Sequence, residues 1–239
     1  MRAKNLHFKI ATLLFALVCF TMNTNAQKLE THLGNAEKSV PFADFKNTDI
    51  GPVSKAGIVT TTKNVIQIIA SGSDIWGTRD QFHFCYVLIK GDFELTTQVQ
   101  SLTVTNMYTK AGIMARVNLD DNSQHVFFQV FPNNSARNKN NGGCEFQYRA
   151  ERAGDMKAIY PDLAKAGTQF NVAYPNTWIR LKRVGDVFES YFSNDNKNWK
   201  LYATHTEKLP EELMVGLAVT AHDNNAYAVA KFSSVRIAK

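Results

Sequence analysis

Residues 178–193 read WIRLKRVGDVFESYFS and contain two alternating runs joined by the turn signal VGD. Ile179 and Leu181 alternate with Trp, Arg and Lys in the first run. Phe188 and Phe192 alternate with polar residues and Tyr in the second run. A period of two indicates β-strands with one buried face, and Gly-Asp between such runs is a hairpin signal. This stretch therefore predicts an antiparallel hairpin that packs one apolar face against a core.

The same pattern extends over most of the chain after about residue 41. Nine further strand-like runs occupy 65–70, 82–89, 93–104, 111–117, 125–131, 144–150, 201–206, 214–221 and 227–237. Turn residues separate these runs, and no amphipathic helix of useful length interrupts them. Many short strands joined by hairpins predict a single all-β domain, an antiparallel sandwich or barrel.

The positive charge of the chain is concentrated partly at its N-terminus. The 239 residues carry 27 Lys and Arg against 21 Asp and Glu, a formal net charge of +6. Residues 1–26 combine a basic start, a short apolar run and small residues before Gln27, which is the pattern of a cleaved signal peptide. Removing it takes away three basic residues and no acid, so the net charge falls to +3. We expect export to the periplasm or extracellular space, a linker at 27–41 and one domain at 42–239.

This charge distribution also bears on the partners of the mature chain. After cleavage the chain is nearly neutral and contains no block of Lys and Arg and no helix with one basic face. Neither nucleic-acid binding nor membrane insertion after signal cleavage is therefore expected.

Two cysteines follow the predicted signal peptide, Cys85 and Cys144, and each stands in an apolar strand-like run. Two cysteines are too few for a disulfide framework, and a small buried apolar side chain explains both. A single disulfide between them is an open alternative in an oxidising compartment.

Five segments, in this order, carry a resemblance to a known family. They are DIWGTRDQFHF (74–84), KGDFELTTQVQSL (90–102), KAGIMAR (110–116), WIRLKRVGDVFESYFSNDNKNW (178–199) and VGLAVTAHDNNAYAVAKFSSVRI (215–237). Together they resemble the concanavalin A-like lectin/glucanase superfamily. More closely, they resemble bacterial secreted modules of unknown function found alone or attached to glycoside hydrolases. The resemblance implies a two-sheet antiparallel jelly-roll sandwich, often associated with carbohydrate binding, but no activity, because the fold hosts lectins, enzymes and spacers.

The polar faces of the predicted strands suggest a platform for a glycan, since Arg, Gln, Glu and Tyr on a sheet face can hydrogen-bond to sugars and stack on them. The candidate ligand-binding residues are Trp76, Arg116, Gln129, Gln147, Arg149, Arg180 and Tyr191. The alternative is a solvated sheet face with cross-strand ion pairs, and a Trp76 ring packed beneath its loop. We expect a secreted non-catalytic carbohydrate-binding or accessory module, or else a structural module that binds another protein.

A glycoside hydrolase is the other alternative. It needs two carboxyl groups about 5 Å apart for retention or about 6.5–9.5 Å apart for inversion. Jelly-roll glucanases that this chain resembles place their acids on one strand in an E-x-D-x-E-type motif, which is absent here. Glu145 and Glu189 share the polar-face assignment and are the best pair for catalysis. Ion pairs with Arg149, Arg180 or Lys182 are the competing interpretation of the two carboxylates.

No cofactor is indicated by a motif, and calcium is the one metal to consider. Sandwiches related to this one often hold a structural calcium ion by Asp, Asn and backbone oxygens. Asp49, Asp121 and Asp223 are candidate ligands, although the sequence contains no calcium-loop motif.

Overall fold

Sixteen β-strands form the described part of the chain. The computed structural model describes residues 44–132, 143–160 and 171–239. The predicted signal peptide (1–26) and linker (27–41) lie outside these residues. Within the same ranges, no helix is long and apolar enough to cross a lipid bilayer.

The strands are β1 (Lys46–Ile50), β2 (Ile58–Thr62), β3 (Val65–Ala70), β4 (Ile75–Trp76), β5 (Arg79–Asp80), β6 (Phe82–Lys90), β7 (Phe93–Leu102), β8 (Lys110–Arg116), β9 (His125–Val130), β10 (Cys144–Arg149), β11 (Lys157–Ile159), β12 (Thr177–Val184), β13 (Val187–Ser193), β14 (Lys200–Thr206), β15 (Glu212–Thr220) and β16 (Ala228–Ala238).

Fourteen of these strands form two seven-stranded antiparallel sheets. Sheet A has the order β1-β6-β15-β8-β9-β10-β11, and sheet B has the order β14-β13-β12-β7-β16-β3-β2. The short strands β4 and β5 pair separately as the β4–β5 hairpin. The hairpin predicted for residues 178–193 is β12–β13 in sheet B. The predicted all-β, two-sheet antiparallel jelly-roll sandwich is confirmed.

The main core lies between the two sheets. Ile113 and Phe128 of sheet A and Leu181, Phe188 and Phe232 of sheet B belong to this one buried cluster. Strand β12 packs against β8 and β9 across the interface. Successive side chains of a strand point to opposite faces, so the next residue on each strand points to the outer face, turned away from the other sheet.

The outer face of sheet A is also buried at its centre. Strands β8 and β9 are buried at every position. Met114 and Phe127 pack there with Phe82 and with Ile75 of the β4–β5 hairpin. Gly77 closes this hairpin with a φ of +61°, a conformation that glycine adopts without a Cβ penalty. The hairpin therefore acts as a third layer on part of sheet A.

Candidate functional site

Three polar side chains and a phenol meet on the outer face of sheet A. Glu145 of β10 pairs with Gln129 of β9, and Gln147 is the next residue on the same face of β10. Gln129 donates through Nε2 to Oε1 of Glu145 at 3.3 Å, and Nε2 of Gln147 donates to the same oxygen. The Tyr160 hydroxyl donates to Oε2 of Glu145 at 2.7 Å. These four residues are called the carboxamide cluster below.

The hydrogen bonds to Glu145 orient both carboxamides. Each Nε2 points at the carboxylate, so the Oε1 atoms of Gln129 and Gln147 remain as acceptors. Among the residues that the structure describes, both Oε1 atoms are buried and have no hydrogen-bond partner. An unpaired buried acceptor costs about 1–3 kcal/mol, which makes such atoms rare in folded proteins. Tyr160 is 50% exposed, so the cluster reaches the surface through this ring.

A second group of polar and aromatic side chains lies at the start of β8, and it is called the rim group. Lys110 donates through Nζ to Oδ1 of Asp74 at 2.6 Å and lies 5.6 Å from the ring centre of Trp76. His222 Nε2 lies 3.2 Å from Oδ2 of Asp74, and its ring contacts Tyr108. Burial raises the pKa of Asp74, but the hydrogen bond from His222 and the Lys110 charge outweigh it and bring the pKa below its usual value. The rim group thus presents fixed charges beside two partly exposed aromatic rings.

Gly112 lies between the carboxamide cluster and the rim group on the face of sheet A. It pairs with Gln129 in β9, and Lys110 stands two residues earlier in β8. A Cβ at position 112 would lie 2.2 Å from the carbonyl oxygen of Phe128, so the close approach of β8 and β9 requires glycine. Position 112, between Lys110 and Gln129 on this strand face, therefore contributes no side chain of its own.

Arg116 and Arg149 lie on the same face but are enclosed in an ion network. Both side chains are fully buried and surround Asp80 of β5. Arg149 donates to both oxygens of Asp80 at 2.7 and 2.8 Å, and Arg116 Nη1 lies 3.7 Å from Oδ2. His125 Nδ1 lies 3.7 Å from the same oxygen. This corrects the expectation that the two arginines project toward a ligand, because they attach the β4–β5 hairpin to sheet A.

Burial dominates the pKa values in this network. It lowers the pKa of Arg116 to about 10, and the attraction of Asp80 offsets only part of that effect. Burial likewise lowers the pKa of His125 to about 4, and the positive charges of Arg116 and Arg149 add to the effect. His125 is therefore neutral at physiological pH, and the network carries two guanidinium groups around one carboxylate.

Arg180 and Tyr191 lie on the outer face of sheet B, on the other side of the core. They are cross-strand partners in β12 and β13. Arg180 Nε lies 3.2 Å from Oε1 of Glu94, and the Tyr191 hydroxyl donates to Glu189 at 2.8 Å. Burial, followed by the hydrogen bond to Glu189, raises the pKa of Tyr191 to about 12. The residues predicted to bind one ligand thus divide between two opposite faces of the sandwich.

Glu145 and Glu189 do not form a catalytic pair. Glu145 lies on the outer face of sheet A, and Glu189 lies on the outer face of sheet B. The sheets of a sandwich are about 10 Å apart, and these side chains point away from each other. Their carboxyl groups are therefore farther apart than the range of about 6.5–9.5 Å that inversion needs. Glu189 lies 4.0 Å from Lys182, in agreement with the competing ion-pair interpretation.

The three candidate calcium ligands have separate protein partners. Asp49 lies 2.7 Å from His83, and Asp121 pairs with Arg79 at 2.9 Å. Asp223 accepts a hydrogen bond from a backbone N–H of its own turn. Among residues 44–132, 143–160 and 171–239, no three His, Cys, Asp or Glu side chains group as a metal site. Calcium binding stays a prediction of the sequence.

Cys85 and Cys144 are free thiols in the main core. Three strands of sheet A lie between β6 and β10. At about 4.8 Å per strand step, the two cysteines are about 19 Å apart, too far for a disulfide. Burial raises the pKa of both thiols, that of Cys85 to about 12. Both act as apolar core residues.

The sequence did not point to Asp80 or Tyr160, nor to the strand pairing that brings Tyr160 to the site. Tyr160 follows β11, which pairs with β10 and so brings the phenol to Glu145. Asp80 stands in a two-residue strand with no distinguishing pattern. Arg149 could have indicated an acid such as Asp80, because an arginine that becomes buried on a sheet face needs a partner of opposite charge.

Comparison of the sequence with models of protein families assigns the chain to a family. Residues 55–239 match the family described as protein of unknown function DUF1349. The chain belongs to DUF1349. The match contains both the carboxamide cluster and the rim group of this DUF1349 protein. A search among curated proteins gives no significant match.

Solved structures share the fold of this DUF1349 protein. A functionally unknown protein from Saccharomyces cerevisiae aligns with a TM-score of 0.61 at 15% identity, over 84% of this chain and 99% of that chain. A mutant of the GH43 protein BlXynB from Bacillus licheniformis aligns with a TM-score of 0.51 at 10% identity, over 86% of this chain and 41% of that chain. Identities this low show the fold alone.

The resemblance seen in the sequence is confirmed at the level of family and fold. DUF1349 is a family of unknown function, and the chain folds as a concanavalin A-like sandwich.

Proposed function

We propose that this DUF1349 protein is an exported, non-catalytic module that binds carbohydrate on the outer face of sheet A. The observation that carries the proposal is the pair of oriented acceptors, Oε1 of Gln129 and Oε1 of Gln147, which are buried without a partner in the described part of the chain. Both atoms are enclosed, so a ligand reaches them only if its entry beside the exposed Tyr160 ring displaces what covers them. Sugar hydroxyls donate hydrogen bonds, and two of them would then satisfy both acceptors. The gain is large because each acceptor otherwise stays unpaired.

Aromatic rings around the acceptors support the same ligand class. Trp76, Tyr108 and Tyr160 are 42%, 38% and 50% exposed. Aromatic rings near a few convergent polar groups are the usual composition of a small-ligand site. A pyranose that stacks on Tyr160 would bring its hydroxyls toward Glu145, which is 3% exposed and accepts hydrogen bonds from Gln129, Gln147 and Tyr160.

A binding role fits the carboxylates better than hydrolysis does. Glu145 is held by two carboxamides and a phenol, and its proposed catalytic partner lies on the opposite sheet. Export is proposed from the pattern of residues 1–26. The ligand would accordingly be a glycan of the periplasm or extracellular space.

The test is isothermal titration of the purified protein with neutral oligosaccharides derived from xylan, glucan, mannan and galactan, each with calcium and with a chelator. Gln129→Leu and Gln147→Leu should each weaken binding about tenfold, because each removes one acceptor. The matched control is Gln67→Leu, the same change on a half-buried residue of β3 in sheet B. It should leave affinity unchanged.

Trp76→Ala keeps the test decisive if a glutamine variant fails to fold, because this ring is partly exposed and lies outside the cluster. It should weaken binding while the thermal unfolding midpoint stays near that of the parent. The proposal would be overturned if the parent protein bound none of the oligosaccharides, or if Gln147→Leu and Gln67→Leu bound them with equal affinity.

A further inference from the structure

The outer face of sheet B contains a small polar pocket that the sheet A site does not use. Its volume is about 70 Å³. It is lined by Glu94, Thr96, Arg180, Asn196, Arg236, Ile237 and Ala238. Measured in the same way, a site for one water molecule needs about 10–15 Å³, so the pocket accommodates a group of several heavy atoms. It is called the arginine pocket below.

Two guanidinium groups flank a threonine in the arginine pocket. Thr96 pairs with Arg180 of β12 on one side and with Arg236 of β16 on the other. Two strand steps separate the arginines, about 10 Å between Cα atoms. Both long side chains can therefore reach one group placed above Thr96.

The donors of these arginines are available. Arg180 uses Nε for Glu94 and Thr96, each at 3.2 Å. Within the described residues its terminal Nη atoms make no hydrogen bond, and the exposed Arg236 side chain has no hydrogen bond or ion pair. Because Glu94 balances one of the two positive charges, the arginine pocket keeps a net positive charge. Unpaired guanidinium donors beside a hydroxyl favour an oxyanion.

The surroundings of the pocket are ordered before any ligand arrives. The Arg180 guanidinium lies 4.0 Å from the ring centre of Trp199, within the range of a cation–π contact. Asp195 accepts hydrogen bonds from the backbone of Lys197 and of Asn198. The turn between β13 and β14 is thus held in place, and Asn196 within it lines the pocket.

We propose that the arginine pocket binds the carboxylate of an acidic saccharide, such as a uronic acid residue. The carboxylate matches the planar donors of the two arginines, and its size matches the pocket. Trp199 and Tyr191 stand beside it, and aromatic rings of this kind stack on a pyranose. This inference does not depend on the sheet A site, because the two faces lie on opposite sides of the core.

The test is titration of the purified protein with trigalacturonate and, separately, with its fully methyl-esterified form. The acid should bind and the ester should bind at least about fivefold more weakly, because esterification removes the charge. Arg236→Gln should weaken binding of the acid about five- to tenfold, since this exposed arginine makes charge-assisted hydrogen bonds to the ligand. Lys231→Gln is the matched control, because it removes one positive charge from an exposed position on the same strand.

Several outcomes would overturn the proposal. They are equal affinity for acid and ester, equal binding by Arg236→Gln and Lys231→Gln, or tighter binding of a glutamate-rich hexapeptide than of trigalacturonate. Neutral oligosaccharides carry no carboxylate and report on the sheet A site, and Lys231→Gln should leave binding of the acid unchanged, so failure of the sheet A proposal and failure of this one are distinguishable.

Discussion

The outer faces of the two sheets use the same kinds of residue, yet part of the face of sheet A is covered and the face of sheet B is open. On sheet A, Arg149 is fully buried and holds Asp80. On sheet B, Arg180 is partly exposed and holds Glu94, which is about equally exposed. The cause is the β4–β5 hairpin, whose Asp80 and Ile75 lie against sheet A.

This difference changes what a polar residue does. Buried polar groups must find partners, so the oxygens of Gln129 and Gln147, unpaired among the described residues, are costly and point to a ligand. Polar groups on an open face are satisfied by water, so the ion pairs of sheet B contribute little to stability and their free donors can bind ligand. The comparison therefore predicts larger mutational effects on sheet A than on sheet B.

The largest effect should come from Arg149→Met. The variant leaves Asp80 without the guanidinium that contacts both of its oxygens, and breaking a buried ion pair costs about 3–5 kcal/mol. Arg152→Met is the control, because the exposed Arg152–Asp120 pair should contribute less than about 1 kcal/mol. Urea unfolding gives both values. Similar losses in the two variants would contradict the structural role of Arg149.

The next effect is a pH dependence that arises at His125. Its pKa in the folded state is lowered to about 4, below the ordinary value of 6.5. Between these values the unfolded chain binds a proton that the folded chain does not, so the free energy of unfolding falls as pH falls from 6.5 to 4. The free energy of unfolding falls by about 3 kcal/mol over this pH range, and His125 causes no further loss at lower pH.

Urea unfolding at a series of pH values measures this slope. His125→Gln removes the titrating ring, so the variant should lose stability less steeply than the parent as the solution is acidified. Parallel pH profiles for the two proteins would show that His125 does not cause the dependence.

The fold could be predicted from the sequence wherever alternation was strong. Residues 178–193 alternate over their whole length and form β12–β13 as expected. Strands β1 and β2 were missed, because KNTDI and IVTTT are polar edge strands without an apolar repeat. Their pairing depends on neighbours distant in sequence, which periodicity does not report.

The site could be predicted only in part. Alternation correctly placed Gln147 and Arg149 together on one face of β10 and Arg180 on the polar face of β12. It could not show that these faces belong to different sheets or that the β4–β5 hairpin covers one of them. Those facts follow from strand order and from hairpin docking, which are long-range properties of the chain.

Replacing glycine by alanine at either of two positions should have a smaller effect on stability. Gly112→Ala would place a Cβ 2.2 Å from the carbonyl oxygen of Phe128, so β8 and β9 must separate, at about 1–3 kcal/mol. Gly185→Ala, in the β12–β13 turn, meets no atom within 4 Å but keeps a φ of +58°, which costs about 1 kcal/mol. Gly112→Ala should also weaken neutral oligosaccharide binding, whereas Gly185→Ala should not. If the two variants lost equal stability and Gly112→Ala bound oligosaccharide as the parent does, Gly112 would have no role in the site.

The smallest effects come from one chemical change made on each face. Tyr160→Phe removes a hydrogen bond to Glu145, which is 3% exposed, and should cost about 1–2 kcal/mol because the acceptor is a buried carboxylate. Tyr191→Phe removes the bond to the more exposed Glu189, where water replaces the hydroxyl, and should cost less than about 0.5 kcal/mol. Urea unfolding at neutral pH measures both. A larger loss for Tyr191→Phe would mean that burial does not distinguish the two faces, and the reason for assigning the neutral ligand to sheet A would fail with it.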